Sequence, residues 1–153
     1  MEPRLTKPHV ELVPGSMQAL WDVTGAIAKV GVDKTILELV ALRASQINGC
    51  SFCVHMHARD LRKAGESDER IDTVAAWRES PWFSDEERAA LALAECVTRI
   101  ADRPDPVPDD VWDEVVDCFS EAEVAALVLA IATTNVWNRL NAATRQPAGA
   151  LPG

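Results

Sequence analysis

Four residues have the types and spacing to do redox chemistry: Glu38, Cys50, Cys53 and His57. The cysteines form a Cys-x-x-Cys pair, and His57 stands four residues beyond the second. On a helix, positions i, i+3 and i+7 share a face and side chains lean toward the N-terminus, which lays His57 over the turn carrying Cys53. A pair that occupies the first helical turn also meets unpaired N–H groups and the positive end of the dipole, both of which favour a thiolate. Thiols so placed have pKa values of roughly 3.5–7.5, against about 8.5 for a free cysteine. Disulfide exchange and peroxide reduction both need a thiolate, a second thiol to resolve the intermediate, and a group that moves protons. Glu38, twelve residues before Cys50, can orient or deprotonate His57 if its helix packs antiparallel to the next.

Three plainer assignments compete. A structural disulfide closing so short a loop gains little in a reducing compartment. A zinc site finds three ligands, but there is no second Cys-x-x-Cys or His-x-x-x-His pair, and three ligands on one stripe surround a tetrahedral ion poorly. Inert buried thiols leave the histidine unexplained. A redox dithiol with an attached base fits all four residues.

Other polar residues carry weaker signals. His55 falls about 200° round the helix from Cys53 and is expected at the surface or an interface; His9, in a proline-rich arm, carries none. Local physics alone favours Cys50 as the nucleophile, being nearer the helix start and expected to be the more exposed. Cys96 and Cys118 read as small buried hydrophobes, and the five tryptophans as core and interface mass. Asn135, Asn138 and Arg139 lie on an apolar helix and must find partners. They are expected to hydrogen-bond across helices or subunits, with lining of the dithiol pocket as the second reading. Gly15, Gly25 and Gly31 form no phosphate loop, so no nucleotide or other cofactor is expected, and no metal.

The elements that must position these groups are helices throughout. Gly and Pro fall between periodic segments, and alternating β-branched runs are scarce. Met17, Leu20, Trp21, Thr24, Ile27 and Ala28 have helical spacing, with Gly31 as the C′ residue. Asp33 caps a helix to about Ile47, and Asn48-Gly49 breaks it before a third helix that starts near Cys50 or Ser51 and stops before Gly65. Ser67 opens a short helix to about Trp77. Ser84 with Glu87 and Ser120 with Glu123 form capping boxes for a helix through Ile100 and for the longest segment, to about Arg145. Asp109 or Asp110 caps the helix between them. The expectation is a compact all-α bundle of six or seven helices. An N-terminal arm covers 1–14, a single domain 15–149 and a tail 150–153.

Segment 123–143 is apolar on more than one face, through Val124, Leu127, Val128, Leu129, Ile131, Val136, Trp137 and Leu140. Such a helix is normally buried. In a domain this small, burial against another subunit makes a homo-oligomer the expectation; a central helix in a monomer is the alternative.

Composition removes whole classes. Apolar residues at 48% and charged residues at 25% exclude disorder as the default. A net charge of −9 argues against nucleic acid, whose affinity comes from neutralised phosphates, and against anionic membranes. No apolar run approaches the ~20 residues of a membrane span. The segment MEPRLTKPHVELVPG lacks the apolar core of a signal peptide, and a cytoplasmic protein is expected.

With these residues in view, the pattern E-x11-C-x2-C-x3-H inside LRASQINGCSFCVHMH resembles the alkylhydroperoxidase D-like branch of the carboxymuconolactone decarboxylase family. IATTNVWNRLNAATRQPAG is similar to that family's Asn-x-Trp-Asn-Arg region. The resemblance implies an all-helical subunit in trimers or hexamers and a CxxC-dependent antioxidant peroxidase needing neither haem nor flavin. It places peroxide attack at Cys53, resolution at Cys50, and a proton relay at His57 and Glu38. Where the founding peroxidase has a histidine just before the second cysteine, this chain has Phe52. The expected substrate is an organic hydroperoxide or hydrogen peroxide, and the expected reductant a thiol, for which a lipoyl-type protein is the candidate. The alternative function is a thiol–disulfide oxidoreductase or redox sensor acting on a protein partner.

Overall fold

Helices form where the punctuation places them. The computed structural model describes residues 2–149; the expected tail at 150–153 lies outside it, as do the side chains of His9, Val10 and Asp102. Within it the elements are α1 (His9–Leu12, a single turn), α2 (Ser16–Ala28), α3 (Lys34–Asn48), α4 (Ser51–Lys63), α5 (Asp68–Thr73), α6 (Asp85–Thr98), α7 (Asp109–Cys118) and α8 (Glu121–Thr144). Short 3₁₀ turns follow α5 and α6, and there is no strand among the described residues. The fold is all-α.

The caps are largely those the sequence marks. Asp33 accepts the Thr35 N–H at 2.7 Å, and both capping boxes, Ser84 with Glu87 and Ser120 with Glu123, close reciprocally. Two expectations are corrected. Helix α2 ends at Ala28 on a right-handed Lys29, so Gly31, with φ 96°, is not its C′ residue but turns the chain toward Asp33. Helix α7 takes Pro108 as its N-cap. Asp109 and Asp110 lie inside its first turn, where carboxylates favour the dipole without capping it.

Helix α3 is the hub. It packs against α4, α6 and α8, while α6 also packs on α7 and α8, and α2 lies on α8. One buried cluster, including Val40, Leu93, Val115, Leu127 and Ile131, fills the space between α3, α6, α7 and α8. A second, including Leu39, Leu42, Leu61, Val74, Trp77 and Leu91, sits between α3, α4, α6 and the α5 segment. Helix α8 buries Val124, Leu127 and Ile131, yet leaves Leu129 45% and Val136 42% exposed. Within this chain its burial is one-sided.

A buried carboxylate ties the second cluster together. Glu95 interrupts the apolar run AALALAEC of α6, and its side chain is only 5% exposed. Its Oε1 accepts Arg43 Nε at 2.8 Å and Trp77 Nε1 at 3.1 Å, and its Oε2 accepts Arg78 Nη1 at 2.6 Å. Arg78 also lies 4.2 Å over the Trp77 ring. Burial pushes the Glu95 pKa up, but the hydrogen bonds from Arg78, Arg43 and Trp77 outweigh it, and the net direction is down. A carboxylate with a lowered folded pKa contributes stability that is complete above its unfolded value, about 4.3. That contribution is lost as pH falls through the folded value. In circular-dichroism melts, wild type is therefore expected to lose stability below about pH 4.3. Glu95→Gln should be destabilised by about 3 kcal/mol at neutral pH, with a shallower acid limb. Superimposable pH profiles would refute the clamp.

Candidate active site

The corner between α3 and α4 makes the site. Helix α3 stops at Gly49, which takes the left-handed conformation (φ 67°) that only glycine adopts freely. The Cys50 N–H then bonds back to the Ser45 carbonyl at 3.1 Å. Cys50 is extended (φ −82°, ψ 94°) and is the N-cap of α4; its Sγ accepts the Cys53 N–H at 3.3 Å. A thiol here fills the place where Ser or Asp normally satisfies a free N–H. Cys53 sits one turn in, and the two sulfurs are joined in a disulfide across a Cα–Cα distance of 5.3 Å, within the ordinary range for such bonds.

Two expectations about the cysteines change. They do not share the first turn, because Cys50 precedes it as the cap. Nor is Cys50 notably more exposed: Cys50 is 2% and Cys53 1% accessible, because α8 covers the corner. Exposure therefore does not distinguish the two sulfurs.

His57 lies one turn beyond Cys53, and its Nδ1 is 2.8 Å from Glu38 Oε2, with both side chains largely buried. The antiparallel packing of α3 and α4 brings these residues together across nineteen positions of sequence. With Glu38 ionised, the bond requires Nδ1–H, which leaves Nε2 as the basic nitrogen.

A polar network on α8 braces the same corner. Asn48 Nδ2 donates to Asn135 Oδ1 at 2.9 Å and to Asn138 Oδ1 at 2.8 Å. Asn138 Nδ2 donates to Ser45 Oγ at 2.9 Å, and Asn135 Nδ2 to Thr98 Oγ1 at 3.3 Å. Arg139 Nη1 reaches Asn135 Oδ1 at 2.9 Å. Asn135 and Asn138 thus bond across helices, with Arg139 held on Asn135. Sequence reasoning passed over their α3 partners, and it also missed Asn141, whose Nδ2 lies 3.6 Å from Cys53 Sγ. The available signal was the spacing of Asn135, Asn138 and Asn141, three apart on one side of α8.

The remaining candidates lie apart. His55 is exposed. Cys96 is buried, whereas Cys118 is only half-buried, not the buried hydrophobe expected. Burial first, and then mainly the nearby carboxylates Glu86 and Asp117 around Cys118, pushes both thiols' pKa values up, so neither is primed as a nucleophile. Among the described residues no three His, Cys, Asp or Glu side chains converge to hold a metal, and no helix is long and apolar enough to cross a membrane.

An all-helical fold with a helix-capping Cys-x-x-Cys and a His–Glu pair one turn on makes the chain a dithiol protein by its own geometry, and comparison with known proteins gives its family. The profile of the carboxymuconolactone decarboxylase family matches residues 14–95, and the chain belongs to that family. It is 38% identical over 135 residues to YdfG, an uncharacterised protein of Bacillus subtilis, covering 88% of this chain and 90% of that one. It is 49% identical over 48 residues to the alkyl hydroperoxide reductase AhpD of Bradyrhizobium diazoefficiens, spanning only 26% of that protein. Among solved structures, ATU0492 of Agrobacterium tumefaciens, a protein of unknown function connected with AhpD and antioxidant defence, superposes with a TM-score of 0.89 at 32% identity, over 98% of this chain and 100% of that one. The debrominase Bmp8 shares the fold, with a TM-score of 0.76 at 21% identity, over 87% of this chain and 70% of that one.

The brace is testable. Replacing Asn48 by Leu removes the donor that Asn138 Oδ1 receives from α3, and a buried acceptor left without a partner costs about 1–3 kcal/mol. Asn48→Leu should lower stability to urea by about 2 kcal/mol; a change under about 0.5 kcal/mol would mean the network does not brace the corner.

Proposed function

We propose that this chain is a CxxC-dependent thiol peroxidase that reduces organic hydroperoxides or hydrogen peroxide. The observation that carries the reading is the bonded pair Cys50–Cys53 at the start of α4 with the Glu38–His57 pair one turn along. Family membership and the AhpD match support it.

In this reading the Cys53 thiolate attacks the distal oxygen of the peroxide. The O–O bond breaks, the alkoxide leaves with a proton delivered through His57, and Cys53 becomes a sulfenic acid. Cys50 sulfur then attacks Cys53 Sγ and expels water, giving the disulfide. Two electrons and two protons from an external dithiol restore the pair. Glu38 keeps His57 in the tautomer that presents Nε2.

Near-complete burial of both sulfurs favours a small peroxide over a folded protein disulfide as the oxidant. It also favours a slender dithiol on a flexible arm, of the lipoyl type, as the reductant, since a globular face cannot reach Cys50 Sγ.

Purified protein with cumene hydroperoxide and dihydrolipoamide should consume thiol catalytically. His57→Ala and Glu38→Gln should slow turnover within about 10²–10⁴-fold, the usual contribution of general acid–base assistance, while keeping wild-type helical content. Cys50→Ser should use about one equivalent of peroxide and stall as a dimedone-reactive sulfenic acid on Cys53. Cys53→Ser should lose the fast reaction, and a dimedone adduct on Cys50 formed at wild-type rate would reverse the assignment. Disulfide exchange without peroxide turnover would replace this reading by the oxidoreductase one.

Assembly into a homo-oligomer, a trimer or hexamer, belongs to the same proposal. Ala125, Leu129, Ala132 and Val136 form an exposed stripe along α8. Beside it runs a groove of about 450 Å³ whose wall includes Ile100 and Val136. Light scattering should give a multiple of the 16.7 kDa subunit mass; a particle of single-subunit mass at micromolar concentration would overturn it.

A further inference from the structure

Among the described residues each sulfur of the pair has one hydrogen-bond donor, and the two donors differ in kind. Cys50 Sγ receives the Cys53 backbone N–H at 3.3 Å, a consequence of helix capping that any thiol at that position would enjoy. Cys53 Sγ receives a side-chain amide, Asn141 Nδ2, at 3.6 Å from α8. Asn141 is 8% exposed, and among the described residues its amide nitrogen has no other acceptor. A buried amide needs an acceptor. A disulfide sulfur is a weak one, whereas a thiolate makes a shorter, charge-assisted bond roughly twice as strong as a neutral one. Asn141 is thus poorly served by the oxidised pair and well served by a reduced, ionised Cys53.

We propose that Asn141 is the positioning residue that selects Cys53 as the thiolate and, by stabilising the reduced form, makes the Cys50–Cys53 disulfide easier to reduce. This rests on the assignment of Cys53 as the nucleophile. It resolves a conflict in that assignment, because capping alone directs the negative charge to Cys50. Charged and titratable groups on the helices that form the corner include His57 on α4, one turn beyond Cys53, and Glu38 on α3, bonded to each other. On α8, Arg139 is held on Asn135. Asn141 is the one side chain from outside the pair that is hydrogen-bonded to either sulfur among the described residues.

The test needs no peroxide. Reduced wild type and Asn141→Leu, a substitution of nearly equal volume, are titrated by ultraviolet thiolate absorbance, with melting temperature as the check on folding. Burial pushes the Cys96 and Cys118 thiols up, and both are replaced by alanine in every protein compared, so that the absorbance reads the pair alone. Because the two active thiols titrate as a coupled pair, the quantity read is its lower apparent pKa. Losing one hydrogen bond to a charged sulfur should raise it by about one unit. In glutathione buffers above that pKa, the equilibrium between disulfide plus two glutathiones and dithiol plus glutathione disulfide should move about tenfold toward the protein disulfide, or about 30 mV. Asn141→Asp, which puts a carboxylate beside the sulfur, should shift both further in the same direction. An unchanged apparent pKa and glutathione equilibrium in Asn141→Leu would overturn the proposal. If that variant does not fold, Asn141→Asp decides alone, and an unchanged or lowered pKa there overturns it. Shifted titrations in a protein that turns over no peroxide would sink the peroxidase reading and leave this one standing; unshifted titrations with intact turnover would do the reverse.

Discussion

Two sulfurs must be held in a dry place, close enough to bond and ready to ionise, and one backbone corner meets that demand. Gly49 lets α3 end abruptly, Cys50 caps α4 with its own sulfur, and Cys53 follows one turn in. Any residue with a Cβ at Gly49 would adopt its φ of 67° at a cost of about 1–2 kcal/mol. The same turn sends α4 back along α3, and that return sets His57 against Glu38. The catalytic candidates are therefore not four independent placements. They are one turn and its geometric consequences.

Helix α8 supplies what the corner lacks. A helical hairpin alone leaves the sulfurs open to water and Asn48 without partners. By lying across the hairpin, α8 removes water from both sulfurs and offers asparagines that satisfy the polar groups it covers. Burial without those amides would carry a desolvation cost with nothing to offset it. The same logic operates at Glu95, where two arginines and an indole N–H compensate one buried carboxylate. Both networks pin α3 to a neighbour: Asn48 joins it to α8, and Arg43 joins it to α6. A hub helix held on two sides by directional bonds keeps its C-terminal corner in register, which apolar packing alone specifies less sharply.

Much of this was legible in one dimension because its causes are local. Helix starts at Asp33, Ser84 and Ser120 follow from side chains bonding N–H groups two or three residues on. The Cys-x-x-Cys and the histidine beyond it report shared helical geometry. Where the local reading of helix ends failed, the competing effect was also local but finer. Pro108 displaced the aspartates as the cap of α7, and α2 stopped before its glycine.

The sequence by itself determined the helices, most of their caps and the identity of the thiol pair, because these depend on interactions within a few residues of chain. Only the tertiary structure decided that Cys53 Sγ meets a donor from α8, that both cysteines are buried, and that Glu95 and Asn141 matter at all. Glu95 finds Arg43 across fifty-two residues, and Asn141 finds Cys53 across eighty-eight. No periodicity encodes such pairings. A buried polar side chain announces only that it needs a partner, and the packing of helices chooses which one.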